Sequence, residues 1–160
     1  MPPNFLDDQF AYRPTALITV DRNVAKLLLT NPHVRCLMVD FSKAFDSINH
    51  PILACKLDKL HLLDHIYNWI INFLTDRTQS VVLNGKVSNK QTMTQSIVQG
   101  SGIGPVLYTV YSSDLKAAGK DTVLVKYADD TALIYADQTA VSFGDEFKNI
   151  KSGPNITDLK

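Results

Sequence analysis

Between Thr122 and Ala136 the chain reads TVLVKYADDTALIYA, two runs of strand-forming residues parted only by Asp129 and Asp130. Val, Ile, Leu and Tyr at this density suit strands packed on a core, and Asp is a good turn residue. The pattern predicts strands over 122–128 and 131–136 with the two acids as the whole connection, a β-hairpin carrying carboxylates at its tip. A lone hairpin is marginal in water, so the rest of the chain must cover it.

Elements able to do so are legible upstream. Leu17, Val20, Val24, Leu27 and Leu28 recur at helical spacing between Thr15 and Leu29, and Asn31-Pro32 stops the pattern. Arg35 to Asp40 (RCLMVD) is a short apolar run whose only acid comes last, which predicts a strand buried on both faces that delivers Asp40 to a sheet edge. Helices are expected over 51–60, with Pro51 in the first turn, and over 65–74, with Asp64 as N-cap. Asn84-Gly85 within SVVLNGKV predicts a tight hairpin, because both residues tolerate positive φ. A helix is expected from Pro105 to Ala118, closed by Gly119. Strands and helices in this arrangement give an α+β fold: a small antiparallel sheet backed by helices.

The 160 residues, 45% of them hydrophobic, are enough for one compact core. No run of eighteen apolar residues could span a bilayer, and MPPNFLDDQF lacks the charged and apolar regions of a secretory signal. The expectation is an intracellular protein of nucleus or cytoplasm. Cys36 and Cys55 lack CxxC spacing and lie among apolar neighbours, so they read as buried thiols. Sixteen Lys and Arg balance sixteen Asp and Glu, which argues weakly against a dedicated nucleic-acid surface.

The chemistry is carried by acids. Asp40 and Asp129 both stand where an apolar strand ends, with little cationic compensation nearby. Carboxylates gathered at one edge repel each other unless a cation intervenes, and magnesium suits an exposed strand end. The plainer alternative is a solvated turn. Two other patterns lose on inspection. GSGIGP has Pro105 in place of the third glycine of a dinucleotide loop. His61 and His65 are four apart, but the Asp64 cap falls between them and breaks the helix on which they would share a face.

VDFSKAFDSINH at residues 39–50, then KLxxL, WIxxFL, Arg77, VVLNG, QGSGIGP and YADD follow in an order that resembles the reverse transcriptases of non-LTR retrotransposons, over roughly Asp8 to Asp137. The resemblance implies an RNA-directed DNA polymerase with a palm-type sheet: partial fingers over 1–34, and a palm over 35–160 with a fingers-like hairpin near 80–98. It implies that Asp40 and Asp129 bind two magnesium ions, with manganese a possible substitute, while Asp130 assists and the Phe41 backbone carbonyl completes a coordination shell. Tyr127 and Ala128 would support the hairpin. Phe45 would pack beneath the incoming sugar, Gln99 and Gly100 would approach the nucleotide, and Arg13 would approach the triphosphate. The implied partners are an RNA template, a DNA primer and a deoxynucleotide, with no membrane.

Departures accompany the match. Arg13-Pro14 runs directly into the following helix without the family's short Gly-Ser-Thr insert, and Val98 stands where many relatives have Pro. After IYAD the family's Trp-containing helix and its lysine are missing, which implies a chain cut before the thumb, without an endonuclease segment. These departures leave open a second reading, an inactive remnant acting at most as a weak nucleic-acid-binding or interaction module.

Overall fold

The computed structural model describes residues 16–136 and 142–151. Its elements are α1 (Ala16–Leu28), β1 (Val34–Val39), α2 (His50–Asp58), α3 (Asp64–Leu74), β2 (Thr78–Gln79), β3 (Val82–Leu83), β4 (Lys86–Val87), β5 (Gln91–Thr92), α4 (Gly104–Tyr111), β6 (Thr122–Tyr127), β7 (Asp130–Ala136) and α5 (Phe143–Lys151). The expected α+β architecture is present.

Strands β6 and β7 form the predicted hairpin, and β1 joins it to give an antiparallel sheet of order β1-β7-β6. Alternation along the strands gives the sheet two apolar faces. One face, with Val39, Leu124, Leu133 and Tyr135, shares the main core with Leu53 and Leu57 of α2 and Leu107 and Tyr111 of α4. The other face, with Val125, Ala132 and Ile134, lies under Val20, Val24 and Leu27 of α1. Helix α1 therefore forms almost over the span its spacing predicts, and the Asn31 side chain, donating to the Leu27 carbonyl at 3.0 Å, closes it.

Strand β1 departs from expectation. Arg35, Cys36 and Met38 are exposed, because β1 is an edge strand and α1 reaches only its Val34 end. Cys36 is thus exposed rather than buried, and so is Cys55 on α2. Helix α2 starts one residue earlier than its Pro51 suggested, because the Asn49 side chain caps it by accepting from the Ile52 amide at 3.1 Å. In α3 the cap position falls to Leu63, which makes no side-chain cap bond, and Asp64 is the first helical residue. An acid there still favours the positive end of the helix dipole.

Between α3 and α4 two short ribbons, β2 with β5 and β3 with β4, form a small arm. Its tip is the predicted Asn84-Gly85 turn, with φ of 50° and 75°, the left-handed pair that a two-residue hairpin demands.

Helix α4 ends at Tyr111 instead of running on to Ala118. The reason is Lys126. This β6 side chain is only 2% exposed and donates from Nζ to the Ser112 and Leu115 carbonyls, each at 3.0 Å. Those carbonyls are satisfied without further helix. Farther along, Glu146 of α5, 1% exposed, accepts from the amides of Ala118 and Gly119 at 2.9 and 2.6 Å, so Gly119 serves as an anchor for α5 and not as a helix cap.

Replacing Lys126 by Met keeps the aliphatic stem but orphans two buried carbonyls. We expect Lys126→Met to lower the unfolding free energy by at least about 2 kcal/mol, read as a shift of the urea midpoint at unchanged slope; an unshifted midpoint would show that the ammonium is not holding this segment.

Candidate active site

The sheet register decides where the acids lie. Val39 pairs with Thr131, and Tyr127 pairs with Asp130 on the opposite side of β7. Continuing the first ladder by one residue brings Asp40 opposite Asp130, so Asp40, Asp130 and Tyr127 occupy one row across the end of the sheet. Because Tyr127 pairs with Asp130, the two-residue connection is Ala128-Asp129 and not the acid pair that the sequence suggested. Asp130 begins β7, and Asp129 alone sits in the turn. Ala128 takes a left-handed φ of 55°, a conformation that costs a residue with a Cβ about 1–2 kcal/mol. Asp40 and Asp130 are exposed and Asp129 is half-buried.

What stands beside this edge is built by the turn after β1 and by α4. Phe41 is buried in the main core, which fixes the backbone immediately after Asp40. Phe45, in the turn that follows, is partly buried and packs its ring on Tyr108 of α4 with centroids 5.1 Å apart. Tyr108 is nearly buried, and burial pushes its phenol well above its ordinary pKa, with the Asp129 carboxylate adding to the rise. It therefore stays a neutral hydroxyl beside Asp129 at any ordinary pH. Gln99 and Gly100 lie in the loop before α4, where Gly100 adopts φ of 82°, a value that strains any other residue, and the Gln99 side-chain amide reaches Asp46 at 3.5 Å. His50, which the sequence left without a partner, meets the Ser96 carbonyl at 2.7 Å in the same region. Arg13 lies outside the described residues.

The donor chemistry suits a hard cation: three carboxylates and a backbone carbonyl at one sheet edge, all oxygen. Among the described residues no three His, Cys, Asp or Glu side chains are drawn close enough to hold an ion. The Ser42 hydroxyl, next to Phe41, is buried and has no hydrogen-bond partner among the described residues. The edge fits divalent magnesium in donor type, with the carboxylates still apart.

Two contributors escaped the sequence. The spacing from Pro105 placed Tyr108 on a helix, yet nothing local indicated that its ring would pack on Phe45 or that its phenol would feel the charge of Asp129. Lys126 read as an ordinary strand residue next to the tip.

Comparison with known proteins is consistent with this geometry. The family profile described as Reverse transcriptase (RNA-dependent DNA polymerase) matches residues 1–149. The RNA-directed DNA polymerase from mobile element jockey of Drosophila melanogaster is 33% identical over 103 residues, 60% of this chain and 11% of that protein. The probable RNA-directed DNA polymerase from transposon BS of the same organism is 28% identical over 140 residues, 80% of this chain and 15% of that protein. The chain thus spans a small fraction of the length of these relatives. Among solved structures, telomerase from Candida albicans, in complex with a fragment of telomeric RNA, superposes with a TM-score of 0.70 over 95% of this chain and 29% of its own, at 16% identity. That likeness is one of fold. With the profile covering nearly the whole chain and the relatives drawn from mobile elements, the chain belongs to the reverse transcriptase family, on its non-LTR retrotransposon side.

Proposed function

We propose that this chain forms the palm of an RNA-directed DNA polymerase, which extends a DNA primer on an RNA template with deoxynucleotides. The observation that carries the reading is the shared edge: Asp40 and Asp130 in one row and Asp129 at the adjoining tip, although Asp40 is distant from the other two in sequence.

In this reading Asp40 and Asp129, with Asp130 beside them and the Phe41 carbonyl on the flank, hold two magnesium ions. Magnesium there would acidify the primer 3′-hydroxyl and neutralise the triphosphate, with manganese as a substitute. The chain's own residues supply position. The tip turn keeps Asp129 at a fixed height, Phe41 pins the backbone of Asp40, and Tyr108 offers an uncharged surface that adds no competing charge. Phe45, held on Tyr108, is the floor for the sugar and would clash with a 2′-hydroxyl. Gly100 lets a base pair approach the backbone, and Gln99 faces the nucleotide. Arg13 is assigned to the triphosphate from the sequence match alone.

Single-nucleotide extension of a primed RNA template with magnesium tests the reading. We expect Asp129→Asn to reduce extension by at least about 100-fold, the scale of a lost metal ligand. Extension unaffected by Asn would remove the carboxylates from the chemistry, and absence of extension by both proteins would favour a binding module without catalysis. A second expectation concerns the sugar: Phe45→Val should raise incorporation of ribonucleotides relative to deoxynucleotides by at least about tenfold, measured as the ratio of kcat/KM values.

A further inference from the structure

His50 opens α2 and meets the segment that leads into Gln99 and Gly100. Residues 45–50 and 94–97 are tied along their backbones: the Ile97 amide donates to the Phe45 carbonyl at 3.0 Å, the Ser96 amide to the Ile48 carbonyl at 2.9 Å and the His50 amide to the Thr94 carbonyl at 3.3 Å, with Asn49 bridged to Gln95. Those ties are all main chain. The imidazole adds one from a side chain, His50 Nε2 to the Ser96 carbonyl at 2.7 Å. A carbonyl only accepts, so Nε2 carries the proton.

Ser96 is where this backbone is strained. Among the described residues, Lys43, His61, Asp76, Asn84 and Ala128 take positive φ between 49° and 55°, close to the small left-handed well, whereas Ser96 lies outside it at 84°. A residue with a side chain persists there only where its surroundings over-determine it. Ile48 takes the Ser96 amide, His50 takes the Ser96 carbonyl, and the next side chain, Ile97, is fully buried. Three residues beyond Ser96 is Gln99, whose side-chain amide reaches back to Asp46 at 3.5 Å. The loop of Gln99 and Gly100 and the turn that carries Phe45 are thus joined at both ends of the same short stretch, and His50 holds its strained point.

We propose that His50 is a positioning residue for the incoming nucleotide: by holding Ser96 in its left-handed conformation, it sets the loop of Gln99 and Gly100 at a fixed place against Phe45. Its purpose rests on the polymerase reading, which makes Phe45 the floor for the sugar and Gln99 a nucleotide contact. His50 acts through the backbone of Ser96. Without the imidazole, Ser96 relaxes toward an ordinary φ, the loop is in its competent form only part of the time, and nucleotide affinity falls by that fraction.

Amide hydrogen exchange separates a local clamp from general stability. In His50→Leu, Ser96 and Ile97 should lose protection by more than about tenfold while the β6–β7 ladder keeps its own, since only a local opening is made easier. His50→Gln, whose side-chain nitrogen can donate to the same carbonyl, should restore that protection. Nucleotide affinity is read without chemistry by titrating deoxyadenosine triphosphate and magnesium onto the chain with an RNA template and a primer ending in a dideoxynucleotide, following the Gln99 and Gly100 amide resonances. His50→Leu should weaken it by about tenfold, as when the competent loop is populated about one-tenth of the time. Adding Ser96→Gly to His50→Leu should recover most of the loss, because glycine takes this φ unaided. A long-range proton–nitrogen spectrum of the parent, which needs no variant to fold, should show His50 protonated at Nε2. The inference is overturned if Nε2 is unprotonated, if protection at Ser96 and Ile97 survives His50→Leu, if neither Gln at 50 nor Gly at 96 recovers affinity, or if the parent binds no nucleotide. Nucleotide binding with this dependence on His50, but no extension of an unblocked primer, would strike the polymerase reading and spare this one.

Discussion

The C-terminal end of α4 is where the structure is held together. A helix ends with carbonyls that lack intrahelical donors, and where that end is buried they must be satisfied from elsewhere. Here two lysines converge on it. Lys126 from the sheet takes the Ser112 and Leu115 carbonyls, while Lys56 from α2 takes the Tyr111 carbonyl and an oxygen of Asp114 at 2.7 Å. Positive charge at the negative end of a helix dipole is favourable, and the short charge-assisted bonds are the strong kind. Burial still bears on Lys56, whose pKa falls below its ordinary value despite Asp114. Through these contacts the sheet, α2 and α4 become one unit. The relative position of Asp129 on the hairpin and of Tyr108 and Phe45 beside it follows from that junction.

Glu146 extends the same logic to the last helix. The segment between α4 and β6 has neither a helical nor a strand ladder, yet its polar backbone is served from two sides: carbonyls by Lys126, amides by Glu146, and the Lys116 carbonyl by Asn149 at 2.8 Å. Two buried charges of opposite sign thus do by side chain what secondary structure does elsewhere.

Much of the fold was legible because it rests on local patterns. The spacing of Val20, Val24 and Leu27 gave α1, Asn84-Gly85 gave the arm's turn, and the run around Asp129 gave the hairpin. What could not be read depends on partners remote in sequence. A lysine within a strand ordinarily points to water, and only a carbonyl-rich helix end packed above it makes burial of Lys126 tolerable. The shift of the turn from Asp129-Asp130 to Ala128-Asp129 is of the same kind, since Asp is the better turn former and Ala accepts a left-handed conformation only where the strand register requires it. The site itself was half legible: the acids were identifiable as residues, while the row that aligns Asp40 with Asp130 exists only once β1 pairs with β7.

The order β1-β7-β6 leaves the sheet's two outer strands with one hydrogen-bonding side each facing away from β7. Such edges are templates on which another strand can build, and proteins usually guard them with proline or several charges. Strand β1 contains no proline and a single charged residue, Arg35, alongside exposed Cys36 and Met38. Among the described residues no strand pairs with that outer side of β1, so a lysine or proline introduced there would guard the edge without touching the β7 ladder or the acids at its end.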